Sequence, residues 1–336
     1  MTTPATHIAR WDLDKTYLRT EFDTFRDLVR TAFERADQKR TNPGASTLLR
    51  EMVLAGVSVH ILSGSPEQMR RRLEDKLRLD GIVWESFTLK PNLENLLRLR
   101  FRAVKDQLGY KLPALLRSRS AAVRGSSGAA HETLFGDDAE ADAFVYSLYA
   151  DVVSGHVTPE QLIEICERGR VYPDVMLALA EDARGIDRFE AVERILIHLE
   201  GQTPPDNFRV YGARVVPFYN YLQAAFVVHE DRRLPPEAVL RVGVELVVQH
   251  RFDGEALARS YLDVARRGHL KGSGVEGIVG AYATLKDSLP ASAELGKMIA
   301  RAPEMERMAR ESYRGVDQPL PDYISLVVSH NARRHR

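Results

Sequence analysis

The feature that most constrains the fold is an alternation, in the first half of the chain, of short apolar runs with stretches of helical periodicity. Four apolar runs are typical of β-strands, at residues 7–11, 57–62, 82–87 and 132–135, and a fifth short run follows at 151–153. Helical spacing occupies the intervals at residues 22–36, 46–55, 66–79 and 93–107. Because strands and helices alternate, we predict an α/β domain over residues 1–157, with a parallel sheet covered by helices on both faces. Residues 117–130, which contain Arg-Gly-Ser-Ser-Gly-Ala-Ala, are expected to form a mobile loop.

The second half of the chain carries almost no strand signal. Helices are predicted at residues 159–168, 175–183, 189–198, 236–250, 255–267, 275–286 and 293–310. Proline followed by an acidic residue opens a helix at Pro159 and again at Pro236. We therefore predict an all-α domain over residues 158–330, in which the aromatic side chains between positions 211 and 226 form part of the core.

Composition excludes several classes of protein. The chain has 47 basic and 47 acidic residues, so it lacks the positive excess that phosphate neutralisation requires, and no nucleic-acid partner is expected. A hydrophobic content of 44% is too high for a disordered chain. The single cysteine, Cys166, is expected to be a buried apolar side chain in a reducing compartment. The sequence shows no secretory signal and no apolar run of membrane-spanning length, so we expect a cytoplasmic protein without a transmembrane segment.

Polar side chains follow three of the predicted strands, at the edge where open α/β sheets bind ligands. The first strand is followed by Asp12-Leu13-Asp14-Lys15-Thr16, and two carboxylates so close together favour a bound cation or a shared proton. The second is followed by the small-residue turn Ser63-Gly64-Ser65-Pro66, which suits an anion. The fourth leads into Gly136-Asp137-Asp138-Ala139-Glu140-Ala141-Asp142, whose hard oxygen ligands suit Mg²⁺. Lys111, before the fourth strand, supplies a cation suited to phosphoryl oxygens.

These four segments, in this order, resemble the motifs of the haloacid dehalogenase (HAD) superfamily of phosphatases. The segment from Asp12 to Thr16 is similar to the DxDxT signature, Ser63 to the second motif, Lys111 to the third, and Gly136-Asp137 with Asp142 to the fourth. The Ser-Gly-Ser-Pro turn and the GDxxxxD pattern followed by Tyr146 are most similar to the phosphatidate phosphatase catalytic domain associated with actin patches, and to its bacterial relatives. The resemblance covers roughly residues 7–155, implies a HAD-like Rossmannoid sheet, and does not extend to the helical half.

The resemblance implies a role for each matched residue. Asp12 would be the nucleophile that forms an aspartyl-phosphate, and Asp14 would be the general acid and then the base. Mg²⁺ would bind the Asp12 carboxylate, the Asp14 backbone carbonyl and Asp137. Ser63, Gly64 and Lys111 would bind phosphoryl oxygens. Asp142 or Asp138 would hold Lys111 or a metal-bound water, and Thr16 would fix the turn.

Two positions leave alternatives or depart from the family pattern. Lys15 stands where the family usually has a small or acidic residue, and we expect it to shift the Asp14 pKa downward. Lys105 competes with Lys111 for the third-motif role, and Lys111 is favoured. Asp138 and Asp142 are interchangeable at this stage.

The expected activity is Mg²⁺-dependent hydrolysis of a phosphomonoester, with a phosphatidate-like lipid or another large phosphomonoester as substrate. The intervals between motifs are consumed by core helices, which leaves room for a minimal cap only. A peripheral contact with a membrane, phosphotransfer to another acceptor and the partner of the helical domain stay open. The alternative is an interaction or scaffold protein with a degenerate HAD domain, which would have no need for Asp12, Asp14, Asp137 and Lys111 to converge on one point.

Overall fold

A computed structural model gives the fold and describes residues 7–19, 40–90, 104–125, 130–139, 141–315 and 320–332. The strands are β1 (Ile8–Trp11), β2 (Ser58–Pro66), β3 (Ser86–Lys90), β4 (Glu132–Asp137), β5 (Val192–His198) and β6 (Val215–Phe218). They form one sheet in the order β3-β2-β1-β4-β5-β6, and every pairing is parallel. Successive strands are added outward in opposite directions from the β1/β4 pair. This order is compatible with a Rossmann-like α/β fold, in which ligands bind at the carboxyl ends of the strands where the direction reverses.

Helices cover both faces of this sheet. They are α1 (Ala45–Leu54), α2 (Arg70–Leu79), α3 (Val104–Gly125), α4 (Asp142–Ser154), α5 (Pro159–Arg168), α6 (Pro173–Arg184), α7 (Tyr221–Glu230), α8 (Pro236–His250), α9 (Gly254–Arg266), α10 (Val275–Leu285), α11 (Ser292–Ala300), α12 (Ala302–Ser312) and α13 (Tyr323–Ala332). Short 3₁₀ turns occupy Glu67–Met69 and Pro205–Tyr211. Among the described residues, no helix combines the length and the apolar character needed to cross a membrane.

Alternate residues of the strands face two separate cores, as the two-residue period of a strand requires. Trp11, Phe135 and Phe218 pack in the first core with α1, α2 and α7 to α12. Leu134 and Ile195 pack in the second core with α3 to α6 and α13. Helices from beyond residue 158 therefore contribute to both faces of the sheet.

The predicted α/β architecture is confirmed, with shifts in individual elements. The strands expected at 7–11, 57–62 and 132–135 match β1, β2 and β4, whereas the regular pairing of β3 begins at Ser86 rather than residue 82. The strand predicted at 151–153 is wrong, because these residues lie within α4. Every residue of α4 from Asp142 to Val153 is buried, so the helix lacks the amphipathic period that identifies helices in a sequence.

The prediction that the chain is entirely helical after residue 158 is also wrong. The segment 189–198, predicted as a helix, contains β5, and β6 adds a further strand to the same sheet. Inner parallel strands are buried on both faces, so β5 presents an apolar run with no two-residue alternation. The boundary proposed at residue 157 therefore does not coincide with an edge of the sheet, and the division into domains stays a prediction.

The first part of the predicted loop at 117–130, up to residue 125, is helical. Helix α3 continues to Gly125, because Leu115, Leu116 and Arg119 are buried against the neighbouring elements. Residues 126–129, the helix predicted at 22–36 and most of the helix predicted at 93–107 lie outside the described residues. The expectation of a minimal cap falls on these segments and stays a prediction.

Candidate active site

Four segments meet at the edge of the sheet formed by the carboxyl ends of its strands. Asp12 directly follows β1, and its backbone N–H donates to the carbonyl of Phe135, which extends the β1/β4 pairing by one residue. Asp137 ends β4, and Ser63 lies in the last part of β2. Because the strands are parallel, all three side chains start from the same edge. Helix α3 crosses beside this edge and contributes Lys111.

Three carboxylates and one ammonium group form the centre of the site. One oxygen from each of Asp12, Asp137 and Asp142 lies within 4.8 Å of the others, and all three side chains are buried. The Lys111 ammonium lies 2.5 Å from Asp142 Oδ1 and 3.3 Å from Asp12 Oδ1, and it is also buried. These four charges leave two negative charges in excess, and buried like charges repel strongly unless a cation compensates them. The donor set consists of hard oxygens and fits a divalent cation such as Mg²⁺.

The glycine before Asp137 makes room for the Asp142 carboxylate. A Cβ atom at Gly136 would lie 2.5 Å from Asp142 Oδ2 and 2.8 Å from Cε2 of Tyr146. In its absence, Asp142 Oδ2 accepts a hydrogen bond from the Asp137 backbone N–H at 3.2 Å. The Gly-Asp pair therefore lets Asp142 bridge the end of β4 and Lys111 at the same time.

The Asp14 carboxylate is held at the end of β2. Its Oδ2 accepts hydrogen bonds from Ser63 Oγ at 2.9 Å and from Ser65 Oγ at 2.7 Å. The Ser65 backbone N–H donates to Ser63 Oγ at 3.0 Å, which fixes that hydroxyl, and Gly64 lies between the two serines. Tyr110 donates to the Ser63 carbonyl at 2.8 Å. Burial raises the pKa of Tyr110 and keeps it a protonated donor.

Hydrogen bonds constrain the backbone of Lys15 and Thr16, which directly follow Asp14. Lys15 adopts a left-handed conformation with φ of 60°. Its carbonyl accepts hydrogen bonds from Asn42 Nδ2 and from His198 Nδ1, both at 3.1 Å. The Thr16 carbonyl accepts from Asn42 Nδ2 at 2.7 Å and from the Tyr221 hydroxyl. The Thr16 hydroxyl donates to Asp12 Oδ2 at 3.4 Å, which links the two ends of this turn.

Two predicted candidates lie away from the central cluster. Asp138 accepts hydrogen bonds from the backbone N–H groups of Gly201 and Thr203, at 2.6 and 2.9 Å, and so holds the loop after β5. The Lys105 ammonium lies 3.9 Å from the ring centroid of Tyr172 on the protein surface. The structure thus brings Asp142 and Lys111 to the site and places Asp138 and Lys105 elsewhere.

No protein-family model, curated protein or solved structure matches this chain. The resemblance to the HAD superfamily therefore stays a prediction from the order of the motifs in the sequence.

Sequence reasoning missed several residues of this site. Ser65 lies in the small-residue turn after the second predicted strand, where no motif marks it, and Tyr110 adjoins Lys111 without any motif of its own. Asn42 precedes the turn residues Pro43 and Gly44, which is a local signal that could have marked it. His198 and Tyr221 carry no local signal, because their place in the site depends on β5 and β6 joining the sheet.

Proposed function

We propose that this protein is a Mg²⁺-dependent phosphomonoester hydrolase that acts through an aspartyl-phosphate on Asp12. The observation that carries the proposal is the buried cluster of Asp12, Asp137 and Asp142, with the Lys111 ammonium in contact with Asp12 and Asp142. Removing one cation and three carboxylates from water costs roughly several kcal/mol per ion. We therefore do not expect this cluster to stabilise the fold. It is suited to bind a divalent cation beside a phosphoryl group.

The metal ion would be held by the Asp12 carboxylate and Asp137, with the Asp14 backbone carbonyl as the third ligand that the resemblance implies. When bound, Mg²⁺ would neutralise negative charge on the transferring phosphoryl group. Asp142 accepts hydrogen bonds from Lys111 and from the Asp137 backbone, so its role is to orient these two residues.

The side chains of the site divide the proposed chemistry between them. Asp12 attacks phosphorus, the bond from phosphorus to the leaving oxygen breaks, and Asp14 donates a proton to that oxygen. Asp14 then takes a proton from the water that attacks the aspartyl-phosphate, which releases inorganic phosphate and restores Asp12. Ser63 and Lys111 bind the phosphoryl oxygens. Hydrolysis and phosphotransfer use the same residues. They differ only in whether water or another acceptor attacks the aspartyl-phosphate.

The substrate class follows from the resemblance and from the expected minimal cap. A site with little covering structure suits a phosphatidate-like lipid or another large phosphomonoester. Residues 20–39 and 91–103, which border the segments of the site, lie outside the described residues. The substrate class is therefore proposed on the sequence alone.

The alternative is an interaction protein with a degenerate HAD domain. It predicts acidic groups dispersed by more than about 8 Å, beyond the reach of one Mg²⁺ ion and one phosphate. Of the four residues in this prediction, Asp12 and Asp137 offer oxygens within 4.8 Å of each other, and the Lys111 ammonium lies 3.3 Å from Asp12 Oδ1. This proximity favours the enzyme.

The test is release of p-nitrophenol from p-nitrophenyl phosphate by the full chain, with Mg²⁺ or with EDTA. We expect activity that requires Mg²⁺ and that falls roughly 10³-fold or more in Asp12→Asn. Asp75→Asn, which changes an exposed carboxylate on α2, is the matched control and should retain full activity. Equal activity in Asp12→Asn would refute the nucleophile. A chain that hydrolyses neither this ester nor phosphatidate in detergent micelles would favour the interaction protein.

A further inference from the structure

We propose that His198 and Tyr221, which lie outside the segment that resembles the HAD family, are positioning residues that fix the catalytic loop from Asp12 to Thr16. The inference rests on the proposed function for its kinetic test, and on the structure for the contacts. It makes the second half of the chain part of the active site, although the sequence predicted an independent helical domain there.

Tyr221 reaches the loop through a stack of aromatic rings. It is the first residue of α7, it is wholly buried, and its hydroxyl donates to the Thr16 carbonyl. Its ring stacks on Trp11 at 5.9 Å between centroids, and Trp11 stacks on Phe135 of β4 at 3.9 Å. Packed rings have little freedom to move, so the stack fixes the position of the phenol oxygen next to the Thr16 carbonyl.

His198 binds the preceding carbonyl of the same loop. It ends β5, and its Nδ1 lies 3.1 Å from the Lys15 carbonyl oxygen. A carbonyl oxygen only accepts, so Nδ1 carries the proton in this contact. The His198 ring lies 5.3 Å from the rings of both Tyr221 and Phe218, measured between centroids. His198 and Tyr221 therefore pack against each other while binding consecutive carbonyls.

The backbone that these two residues hold is unfavourable by itself. Lys15 has a φ of 60°, and the left-handed conformation is unfavourable for a residue with a side chain. Such a conformation persists where the surrounding structure determines it. Lys15 is flanked by Asp14 and Thr16, so a change at Lys15 would rotate both neighbouring peptide groups. The Asp14 carboxylate would then move relative to Asp12, and a displacement of about 1 Å is enough to cost roughly 10²-fold in rate.

Tyr221→Phe tests the hydroxyl without disturbing the aromatic stack. We expect kcat for p-nitrophenyl phosphate to fall roughly tenfold while KM changes less than about twofold, because the bond aligns reacting groups and does not contact substrate. Tyr261→Phe is the matched control, since Tyr261 is also buried in the first core and donates to Glu230 at 3.1 Å. It should keep the kcat of the unchanged protein. Equal kcat values for the two variants would overturn the proposal.

The positioning role of His198 is tested by comparing a variant that lacks the hydrogen-bond donor with one that restores it. His198→Leu removes the donor to Lys15, and we expect kcat to fall at least tenfold, roughly, as for other positioning contacts. His198→Asn keeps an N–H donor near the position of Nδ1 and should recover most of the lost activity. A leucine variant as active as the unchanged protein, or an asparagine variant no better than the leucine variant, would count against a positioning hydrogen bond.

Amide hydrogen exchange separates this inference from the proposed function. Peptides covering residues 12–18 should exchange faster in Tyr221→Phe and His198→Leu than in Tyr261→Phe, because the loop opens more often. If the unchanged protein hydrolyses no phosphomonoester, the proposed function fails, and exchange alone decides whether the contacts hold the loop. Unchanged exchange in this segment, or faster exchange with unaltered kcat, would overturn the positioning role.

Discussion

Lys111 carries its charge in a fully buried position, where only close carboxylates can offset the loss of hydration. Asp142 and Asp12 provide these contacts, at 2.5 and 3.3 Å. The same arrangement leaves the ammonium beside the proposed nucleophile, where negative charge would accumulate during the proposed phosphoryl transfer. Lys105 has no equivalent position, because its ammonium lies over the ring of Tyr172.

Replacement of either lysine by methionine should therefore have different effects. We expect Lys111→Met to lower kcat for p-nitrophenyl phosphate roughly 10² to 10³-fold, since a preorganised charge at the transition state is lost. Lys105→Met should retain full activity. Initial-rate measurements on the two variants decide the assignment, and the reverse result would transfer the third-motif role to Lys105.

At the scale of elements, a buried ionic cluster joins β1, β4, α3 and α4 below the candidate active site. Glu132 accepts two hydrogen bonds from Arg10, both at 2.9 Å, one from Arg119 at 2.6 Å and one from Tyr149 at 2.8 Å. Burial alone would raise the pKa of Glu132, but Arg10 and Arg119 outweigh it and lower the pKa to about 2. The cluster fixes the strands that carry Asp12 and Asp137 at their carboxyl ends.

Glu132→Gln should destabilise the fold in a pH-dependent way. The folded pKa of about 2 lies below the ordinary value of 4.5, so the stabilisation is complete above pH 4.5 and is lost as the pH falls towards 2. At pH 7 the variant leaves two buried guanidinium groups without their carboxylate, and we expect a loss of roughly 3 to 5 kcal/mol in the free energy of unfolding.

Urea unfolding followed by circular dichroism at pH 7, 5 and 3 measures this difference. The gap between the variant and the unchanged protein should narrow between pH 5 and pH 3. Glu164→Gln, at an exposed position on α5, is the control and should stay within about 0.5 kcal/mol of the unchanged protein at each pH. A gap that is constant from pH 7 to 3 would show that Glu132 stabilises the fold through its shape and not its charge.

At the scale of the whole molecule, the second half of the chain completes the first. Helices α7 to α12 share a core with β1, β2, β4, β5 and β6, and α13 packs on the opposite face with α3 and α4. Polar contacts reinforce the α1/α8 interface, where Arg241 donates two hydrogen bonds to Glu51, at 2.6 and 2.7 Å, and the Gly44 backbone N–H donates to Glu245. A fragment ending at residue 157 would keep α1 to α4 but would expose part of each face of the sheet and the edge of β4.

We therefore expect residues 1–157, expressed alone, to aggregate or to lack a cooperative unfolding transition. A chain ending at residue 332 is the control, because it retains every described element, and it should behave like the full chain. Gel filtration and thermal unfolding followed by circular dichroism distinguish the two. A monomeric, cooperatively unfolding 1–157 fragment would support the predicted division into two domains.

The sequence by itself determined the α/β class, most strands of the first half, and the order of Asp12, Ser63, Lys111 and Asp137 along the chain. Strand patterns and turn residues are local signals, and parallel strands bring their carboxyl ends to one edge whatever the details of packing. Only the tertiary structure decided which of Asp138 and Asp142 joins the cluster. It also showed that β5 and β6 extend the sheet.

The contacts of His198 and Tyr221 also depend on the tertiary structure. These two side chains reach Lys15 and Thr16 across 183 and 205 residues of sequence. Such contacts arise from packing between distant segments, and no local pattern encodes them.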